Sequence, residues 1–277
     1  MVVKALNQVA IVTGGASGIG KAIAEQLVSN HVFVVIADID EYGGKQVVSQ
    51  IEKEGGSAQF VRLDVTDADQ IEALVLNVHR EHGRLDYMFN NAGIAMYGEL
   101  YDMSREHWER IVSVNLWSVI HGTQAAYSLM KKQGFGHIAN TASVAGLGPS
   151  PTATAYATTK HAIVGLTTSL HYEAETFGVK VSTLCPTFVN TSIFSTAEGI
   201  NIDKVKMNEQ MKKRKMMSPE QFARIALRGL ERNEPLVCPM PFRRTSDIFF
   251  ILFPRIHRKL IRFFCNEARK ANINTVH

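Results

Sequence analysis

The chain has 277 residues, is 45% hydrophobic and carries a formal net charge of +4, which is ordinary for a globular protein of one large domain or two small ones. The sequence has no run of about 20 apolar residues that would predict a spanning helix, and we find no secretory signal before the first strand. Its three cysteines have no CxxC spacing, which argues against a disulfide framework or a zinc cage. We therefore expect a cytoplasmic protein. The positive charge lies in residues 203–216 and 240–277, which carry +4 and +6 and leave the rest at −6; the body is therefore not expected to bind nucleic acid.

Short β-branched runs alternate with longer segments of helical periodicity. Seven runs predict strands: QVAIVTG, VFVVIAD, AQFVRLD, LDYMFNN, GHIANTAS, VKVSTLCP and EPLVCP. Helices are predicted near residues 19–30, 41–54, 67–82, 104–132, 154–177 and 219–232, the last with Ser218 as N-cap, Pro219 at the first helical position and Gln221 completing a capping box. Near-continuous apolar strands between helices predict an α/β fold: a single Rossmann-type, doubly wound domain with a parallel sheet of about seven strands flanked by helices on both faces.

The segment TGGASGIG, residues 13–20, directly follows the first strand and opens the first helix. Its glycines at 14, 18 and 20 allow a sharp turn, a close approach of the backbone to a pyrophosphate and tight packing of the helix on the strand. The helix N-terminus also offers amide donors to the anion. We therefore predict a dinucleotide site, while a turn that serves packing alone is the alternative.

Asp38 ends the second strand, 18 residues after Gly20. A carboxylate at this place accepts hydrogen bonds from the adenosine ribose and repels a 2′-phosphate, and Asp40 is the alternative for this role. Because no Lys or Arg occurs in the glycine turn or just after Asp38, the sequence favours NAD as the cofactor, with NADP as the alternative.

Tyr156 and Lys160 stand four residues apart in YATTK, so in a helix both side chains lie on one face, about one turn apart. We expect the charge of Lys160 to lower the pKa of Tyr156 toward the working pH. Ser143, after the fifth strand, would hydrogen-bond the same substrate oxygen as Tyr156. Taken singly, each residue also fits an exposed or strand-end position without a catalytic role.

The histidines show no three-ligand spacing, so we expect no metal site.

With NNAG at residues 90–93 and an asparagine at 115, these motifs resemble those of the short-chain dehydrogenase/reductase family over roughly residues 8–240. The resemblance implies a catalytic set of Asn115, Ser143, Tyr156 and Lys160, in which Lys160 also binds the nicotinamide ribose and Asn115 supports a water chain that carries protons. It implies that the nucleotide is held by Gly14, Ser17, Gly18, Ile19, Gly20, Asp38, Asp64, Val65, Asn91, Ala92, Gly93, Tyr156, Lys160, Pro186, Val189 and Thr191. It further implies a homodimer or homotetramer built on the helices near 104–132 and 154–177.

One position departs from the family pattern. The family commonly has Pro-Gly after the sixth strand, whereas this chain reads CPTFVNT with Thr187. A β-carbon close to the nicotinamide can shift the geometry of the substrate or the cofactor. Pro186 and Thr191 are retained, and we expect Thr191 to contact the carboxamide.

Two segments fall outside the alternation of strands and helices. In the family, the segment at 188–217 covers the substrate, and MNEQMKKRKMM at 207–217 is either a lid for an apolar ligand or a solvated basic loop.

The segment at 241–277 has apolar residues at helical spacing and basic residues on much of the remaining surface. This basic amphipathic helix either docks on the body or a second subunit, or lies on an anionic membrane surface. Its apolar residues are Ile256, Leu260, Phe263 and Phe264, and its basic residues are Arg255, Arg258, Lys259 and Arg262.

The sequence thus predicts a nucleotide-binding domain over residues 1–240, including a lid at 188–217, and a C-terminal extension over 241–277. The predicted activity is the NAD-dependent interconversion of an alcohol and a carbonyl on a small, lipophilic molecule such as a steroid, a retinoid or a long-chain hydroxy compound. Reduction of 3-oxoacyl thioesters is the alternative within the family. A nucleotide-sensing protein without turnover is the alternative from another class.

Overall fold

The computed structural model describes residues 8–203, 205–207, 209, 216–240 and 243–272. Much of the predicted lid segment at 207–217 lies outside the described residues. The structure therefore does not test whether that segment is a lid or a solvated loop.

Seven parallel strands form the main sheet of the described residues, and all seven predicted strands belong to it. The order across the sheet is β3-β2-β1-β4-β6-β7-β9, while β5 pairs with β8 in a small separate sheet. The winding reverses between β1 and β4, where an open α/β sheet leaves a crevice outside the carboxyl ends of its strands. The strands are β1 (Val9–Thr13), β2 (Phe33–Asp38), β3 (Ala58–Arg62), β4 (Tyr87–Asn90), β5 (Met96–Tyr97), β6 (Gly136–Thr141), β7 (Val179–Leu184), β8 (Glu198–Gly199) and β9 (Leu236–Val237).

Helices cover both faces of the sheet, which confirms the predicted fold class. In β1, Ala10 and Val12 pack with residues of α1, α2 and α7, whereas Val9 and Ile11 pack with residues of α3 and α5 on the opposite face. This division follows from the alternation of side chains along a strand. The helices are α1 (Gly18–Ser29), α2 (Glu41–Lys53), α3 (Ala68–His82), α4 (Arg105–Val112), α5 (Ser118–Gln133), α6 (Thr154–Glu175), α7 (Pro219–Glu231), α8 (Arg243–Leu252) and α9 (Pro254–Arg269).

Two helix predictions near the site have different outcomes. The capping box of α7 is confirmed, since Ser218 Oγ accepts from the Gln221 amide at 3.2 Å and Gln221 Oε1 accepts from the Ser218 amide at 3.1 Å. The helix predicted near 104–132 runs without a break from Arg105 to Gln133, but it contains a π-helical turn at Ser113–Trp117 that divides it into α4 and α5, which the sequence analysis did not predict. A π turn widens the helix by one residue, and such turns often occur at functional sites.

The C-terminal extension forms two helices whose far end is fixed to the body. Phe250 of α8 stacks on His257 of α9, with ring centroids 4.6 Å apart. Arg269, at the end of α9, binds Glu99 through a nitrogen to oxygen distance of 2.5 Å. Ala271 is buried, and its carbonyl accepts from the Asp203 amide at 2.8 Å. The extension is therefore docked on the body at this end, as one of the open alternatives predicts.

Candidate active site

One large cavity lies at the carboxyl ends of the central strands. Its volume is about 1390 Å³. Gly20 and Asn115 are the two predicted site residues that do not line it. The lining includes all the others: Gly14, Ser17, Gly18, Ile19, Asp38, Asp64, Val65, Asn91, Ala92, Gly93, Ser143, Tyr156, Lys160, Pro186, Val189 and Thr191. The structure thus brings together residues that are up to 177 positions apart in the chain.

The glycine turn requires its glycines for two different reasons. Gly14 has a φ of +65°, and a β-carbon there would lie 2.9 Å from the Ala92 Cα. A β-carbon on Gly20 would lie 2.2 Å from the Gly14 carbonyl oxygen. Gly14 therefore allows the left-handed backbone and the close contact with NNAG, and Gly20 allows α1 to begin directly against the turn.

Thr13 joins the glycine turn to the NNAG segment, and the sequence analysis did not assign it a role. Its hydroxyl donates to the Phe89 carbonyl at 3.2 Å and accepts from the amides of Asn91 at 2.9 Å and Ala92 at 3.1 Å. Asn91 returns a bond from its side-chain nitrogen to the Thr13 carbonyl at 3.1 Å. The only signal for this role was the position of Thr13 at the start of TGGASGIG.

Asp38 and Asp40 differ in what their carboxylates bind. Asp38 accepts from the Ala16 amide, within the glycine turn, at 3.0 Å, and from the Asp40 amide at 3.0 Å. Asp40 caps α2 by accepting from the Gly43 amide at 3.0 Å. Asp38 is thus oriented toward the turn, while Asp40 serves its own helix. The geometry favours Asp38 as the ribose ligand of the two.

Asp64 follows β3, and its carboxylate stabilises the local turn. Its Oδ1 accepts from the Thr66 amide at 2.9 Å and from the Thr66 hydroxyl at 2.7 Å. These bonds lower the pKa of Asp64, since both favour the carboxylate. Asp64 and Val65 both line the cavity, and the bonds to Thr66 hold the turn that carries them.

The three residues proposed for chemistry meet at the inner end of the cavity. Ser143 and Tyr156 both line the cavity, and the Ser143 side chain acts to lower the pKa of the Tyr156 phenol. The Lys160 ammonium nitrogen lies 5.6 Å from the Tyr156 ring centroid and donates to the Thr141 carbonyl at 2.9 Å. Lys160 is only 3% exposed. The spacing in YATTK and the end of β6 therefore place a phenol, a hydroxyl and a buried amine within one small volume.

The pKa values of this group contradict one expectation. The pKa of Tyr156 is raised, because burial disfavours the phenolate more than the Ser143 hydrogen bond favours it. Burial also lowers the pKa of Lys160 to about 8. The prediction that Lys160 lowers the pKa of Tyr156 is therefore wrong for the protein alone. The physical reason is that burial disfavours the phenolate, while the Lys160 ammonium is directed to the Thr141 carbonyl.

Asn115 lies behind the cavity wall, in the π turn. Its Oδ1 accepts from the Ile94 amide at 2.8 Å, and its Nδ2 donates to the Ile94 carbonyl at 2.9 Å and to the Thr159 hydroxyl at 3.3 Å. Thr159 in turn donates to the Tyr156 carbonyl at 2.8 Å. Asn115 thus connects the segment after NNAG with the helix that carries Tyr156. Sequence reasoning missed Thr159, because its only signal was a hydroxyl inside YATTK.

The segment after β7 closes the cavity near its inner end. The Pro186 carbonyl accepts from the Val144 amide at 3.0 Å, so this segment is fixed beside Ser143. Thr187 lines the cavity at the position that departs from the family pattern. A β-carbon on Gly18 would lie 3.1 Å from the Thr191 Cγ2, so Thr191 lies against the glycine turn.

The C-terminal helices contribute apolar and aromatic side chains to the cavity. Phe250 of α8 lines it, as do His257, Ile261 and Phe264 of α9.

Among the described residues, no group of three or more His, Cys, Asp or Glu side chains is arranged to hold a metal ion. No helix in the described part of the chain is long and apolar enough to cross a membrane.

Comparison with known proteins places this geometry in a family. Residues 8–199 match the family model for short chain dehydrogenase. The chain therefore belongs to the short-chain dehydrogenase family, which confirms the resemblance drawn from the motifs.

Several relatives span different shares of the chain. It is 32% identical over 234 residues to the probable oxidoreductase EphD of Mycobacterium tuberculosis, covering 81% of this chain and 40% of that protein. The chain thus spans about two-fifths of the length of that relative. It is 33% identical to D-beta-hydroxybutyrate dehydrogenase of Rhizobium meliloti, covering 80% of this chain and 91% of that protein. It is 35% identical to cyclopentanol dehydrogenase of Comamonas testosteroni, covering 67% of this chain and 74% of that protein.

Solved structures share the fold. A short chain dehydrogenase/reductase from Burkholderia phymatum, in complex with NAD, is 28% identical with a TM-score of 0.81, covering 94% of this chain and 96% of that chain. A short-chain dehydrogenase from Sphingobium yanoikuyae, in complex with NADPH, is 23% identical with a TM-score of 0.76, covering 92% and 95%. The second likeness shows the fold alone.

Proposed function

We propose that the protein is an NAD-dependent oxidoreductase that interconverts an alcohol and a carbonyl on a lipophilic substrate. The observation that carries the proposal is the meeting of Ser143, Tyr156 and Lys160 in a cavity that also holds the glycine turn and Asp38. A dinucleotide groove and a proton donor that open into one cavity suit a reaction that moves a hydride and a proton together.

The residues present fit a nicotinamide dinucleotide. Gly14 and Gly18 have positive φ values of 65° and 54°, so the backbone approaches the cavity without β-carbons, and the N-terminus of α1 opens into the same space. Asp38 is directed to the turn, where it would accept from the ribose hydroxyls. When bound, the nicotinamide supplies or accepts the hydride.

The remaining chemistry belongs to the side chains of this protein. Tyr156 Oη exchanges a proton with the substrate oxygen, and Ser143 Oγ holds that oxygen by a hydrogen bond as its charge changes. The Lys160 ammonium nitrogen lies 5.6 Å from the Tyr156 ring centroid and is held by the Thr141 carbonyl, at the edge of the cavity where it would bind the nicotinamide ribose. Asn115 holds the Gly93–Ile94 wall against the helix that carries Tyr156, and is a positioning residue in this geometry.

The substrate class follows from the lining of the cavity beyond the catalytic group. Phe188, Ile193 and Phe194 follow β7, and Phe250 and Ile261 come from the C-terminal helices. Such a lining favours an apolar molecule with few polar groups, such as a steroid, a retinoid or a long-chain hydroxy compound. The relatives named for hydroxybutyrate and cyclopentanol support an alcohol as the reacting group.

A substrate panel tests the activity. Steroid, retinoid, acyl and sugar alcohols are incubated with the protein and NAD, and reduced nicotinamide is measured. We expect an apolar alcohol to be oxidised. Turnover of 3-oxoacyl thioesters alone would favour the alternative activity, the reduction of 3-oxoacyl thioesters. Calorimetric binding of NAD without turnover of any class would favour a nucleotide-sensing protein.

Calorimetry with two matched variants tests the cofactor. NAD should bind more tightly than NADP to the wild type, because the Asp38 carboxylate repels a 2′-phosphate. Asp38→Asn should shift the ratio of the two dissociation constants toward NADP by at least about fivefold. Asp40→Asn is the control and should leave the ratio unchanged. Tighter binding of NADP to the wild type would contradict the proposal.

Assembly into a homodimer or homotetramer stays a prediction of the family resemblance. Its measurement is sedimentation velocity over a range of protein concentrations.

A further inference from the structure

The two C-terminal helices expose a concentrated set of large apolar side chains. Of the twenty large hydrophobic residues that are exposed among the described residues, nine lie between positions 248 and 264. They are 38% to 77% exposed, and they are Ile248, Phe249, Ile251, Leu252, Phe253, Ile256, Leu260, Phe263 and Phe264. Apolar patches of this kind mark surfaces that contact a partner or a membrane.

A basic arc borders this apolar surface on α9. Ile256, Leu260 and Phe263 recur every three or four residues and so share one face of the helix. Arg255, Arg258, Lys259 and Arg262 lie on the neighbouring face, and all four are exposed. No ion pair with another described residue is found for any of these four side chains, unlike Arg269, which binds Glu99.

We propose that residues 248–264 form a docking surface for an anionic phospholipid bilayer. Exposed phenylalanine, leucine and isoleucine side chains next to exposed arginine and lysine are what a helix needs to lie in the headgroup region. Since no described helix can span a membrane, the helices would lie on the surface of the bilayer rather than cross it.

Charge argues against a second copy of the chain on this surface. Residues 240–277 carry eight basic and two acidic side chains, a net charge of +6. A symmetric dimer through this face would place the two basic arcs beside each other, which is unfavourable. An anionic lipid surface instead neutralises them.

The same helices connect the docking surface to the cavity. Phe250, His257 and Ile261 line the cavity, and so do Ile251 and Phe264 of the exposed set, whereas Ile256, Leu260 and Phe263 do not. Docking would therefore bring the cavity close to the bilayer, where an apolar substrate is dissolved. That consequence rests on the proposed function, but the docking itself does not.

Flotation with lipid vesicles tests the docking, without cofactor or substrate. The full-length protein should float with phosphatidylcholine vesicles that contain about one-third phosphatidylglycerol, and much less with pure phosphatidylcholine. The variant I256S/L260S/F263S should bind at least about tenfold more weakly for each residue replaced. The variant R258Q/K259Q/R262Q should lose about fivefold for each charge, with the loss confined to anionic vesicles.

Matched controls separate this surface from general effects. L76S/F135S removes two apolar side chains outside the docking surface that are 49% and 40% exposed. K53Q/R80Q/K132Q removes three exposed charges outside the docking surface. Both variants should float like the wild type. Circular dichroism establishes that each variant is folded. Equal flotation of wild type and the α9 variants would overturn the proposal. So would a wild type that does not float but forms dimers that the apolar variant loses. Because the assay needs no turnover, its failure leaves the proposed oxidoreductase activity standing, and the reverse also holds.

Discussion

The part of the cavity built from residues 8–187 and the part built from residues 188–272 are held in different ways. In the first, buried side chains bind backbone groups of distant elements, such as Lys160 to the Thr141 carbonyl and Asn115 to both backbone groups of Ile94. In the second, the C-terminal helices are held at one end by an exposed ion pair between Arg269 and Glu99, and their apolar residues are largely exposed. The groups proposed for proton transfer are therefore positioned by the core, while the side of the cavity proposed to hold the substrate depends on weaker surface contacts.

The largest effect is expected at Tyr156, in the core-held part. Tyr156→Phe removes the proton donor while keeping the ring, so kcat should fall by about 10²- to 10⁴-fold. The dissociation constant for NAD should change little. Steady-state kinetics and calorimetry measure the two quantities.

Tyr172→Phe is the matched control for this substitution. Tyr172 lies on the same helix but is 68% exposed, so its variant should keep full turnover. Unchanged turnover of Tyr156→Phe would show that another group transfers the proton.

The burial of Lys160 should make the stability of the protein depend on pH. The pKa of Lys160 is about 8 in the folded protein, against an ordinary value of 10.5. Between these pH values the unfolded chain holds a proton at this side chain that the folded chain has lost, so the free energy of unfolding rises with pH. Below about pH 8 the folded state bears the full penalty of the buried amine, and near pH 10.5 the penalty is gone.

Urea unfolding of the wild type and Lys160→Met measures this contribution. The difference in unfolding free energy, wild type minus variant, should increase by about 3 kcal/mol between pH 7 and pH 10.5. Lys132→Met, at an exposed position, should give a flat difference. A flat difference for Lys160→Met would mean that the amine is not desolvated in solution.

Thr159 tests whether the contact between α6 and the π turn positions the catalytic group. Thr159→Val keeps the shape but removes the hydroxyl that accepts from Asn115 at 3.3 Å. We expect a loss of about 1 kcal/mol in unfolding free energy and a fall in kcat, with the KM for NAD unchanged. Thr158→Val removes an exposed hydroxyl that donates to the Thr154 carbonyl of its own helix at 2.9 Å, and it should leave kcat unchanged. Equal kcat values for the two variants would contradict a positioning role.

The same division explains what the sequence could predict. Gly14, Gly18 and Asp38 could be found because a turn, a helix start and a strand end impose residue types locally. The π turn around Asn115 could not, because it depends on Ile94 and Thr159, which are distant in sequence. The pKa of Tyr156 depends on burial, which the spacing of YATTK does not contain. The lining from Phe250 and His257 depends on how α8 and α9 fold back over the cavity, and an amphipathic pattern gives no direction for that packing.

The smallest effect is expected at the anchor of the C-terminal helices. Arg269→Gln breaks the ion pair with Glu99, and pairs at such exposed positions contribute about 0.2 to 1 kcal/mol. If α8 and α9 hold the substrate, the KM for an apolar substrate should rise by at most about fivefold, because the helices lose part of their attachment. The KM for NAD should stay the same, since the glycine turn and Asp38 are fixed by other contacts. Arg105→Gln, which breaks the exposed pair with Glu109 within α4, should change neither value. A rise in both KM values after Arg269→Gln would show that the two parts of the cavity are coupled. A rise in the KM for the substrate alone would mean that the helices can be altered without disturbing the proton and hydride chemistry.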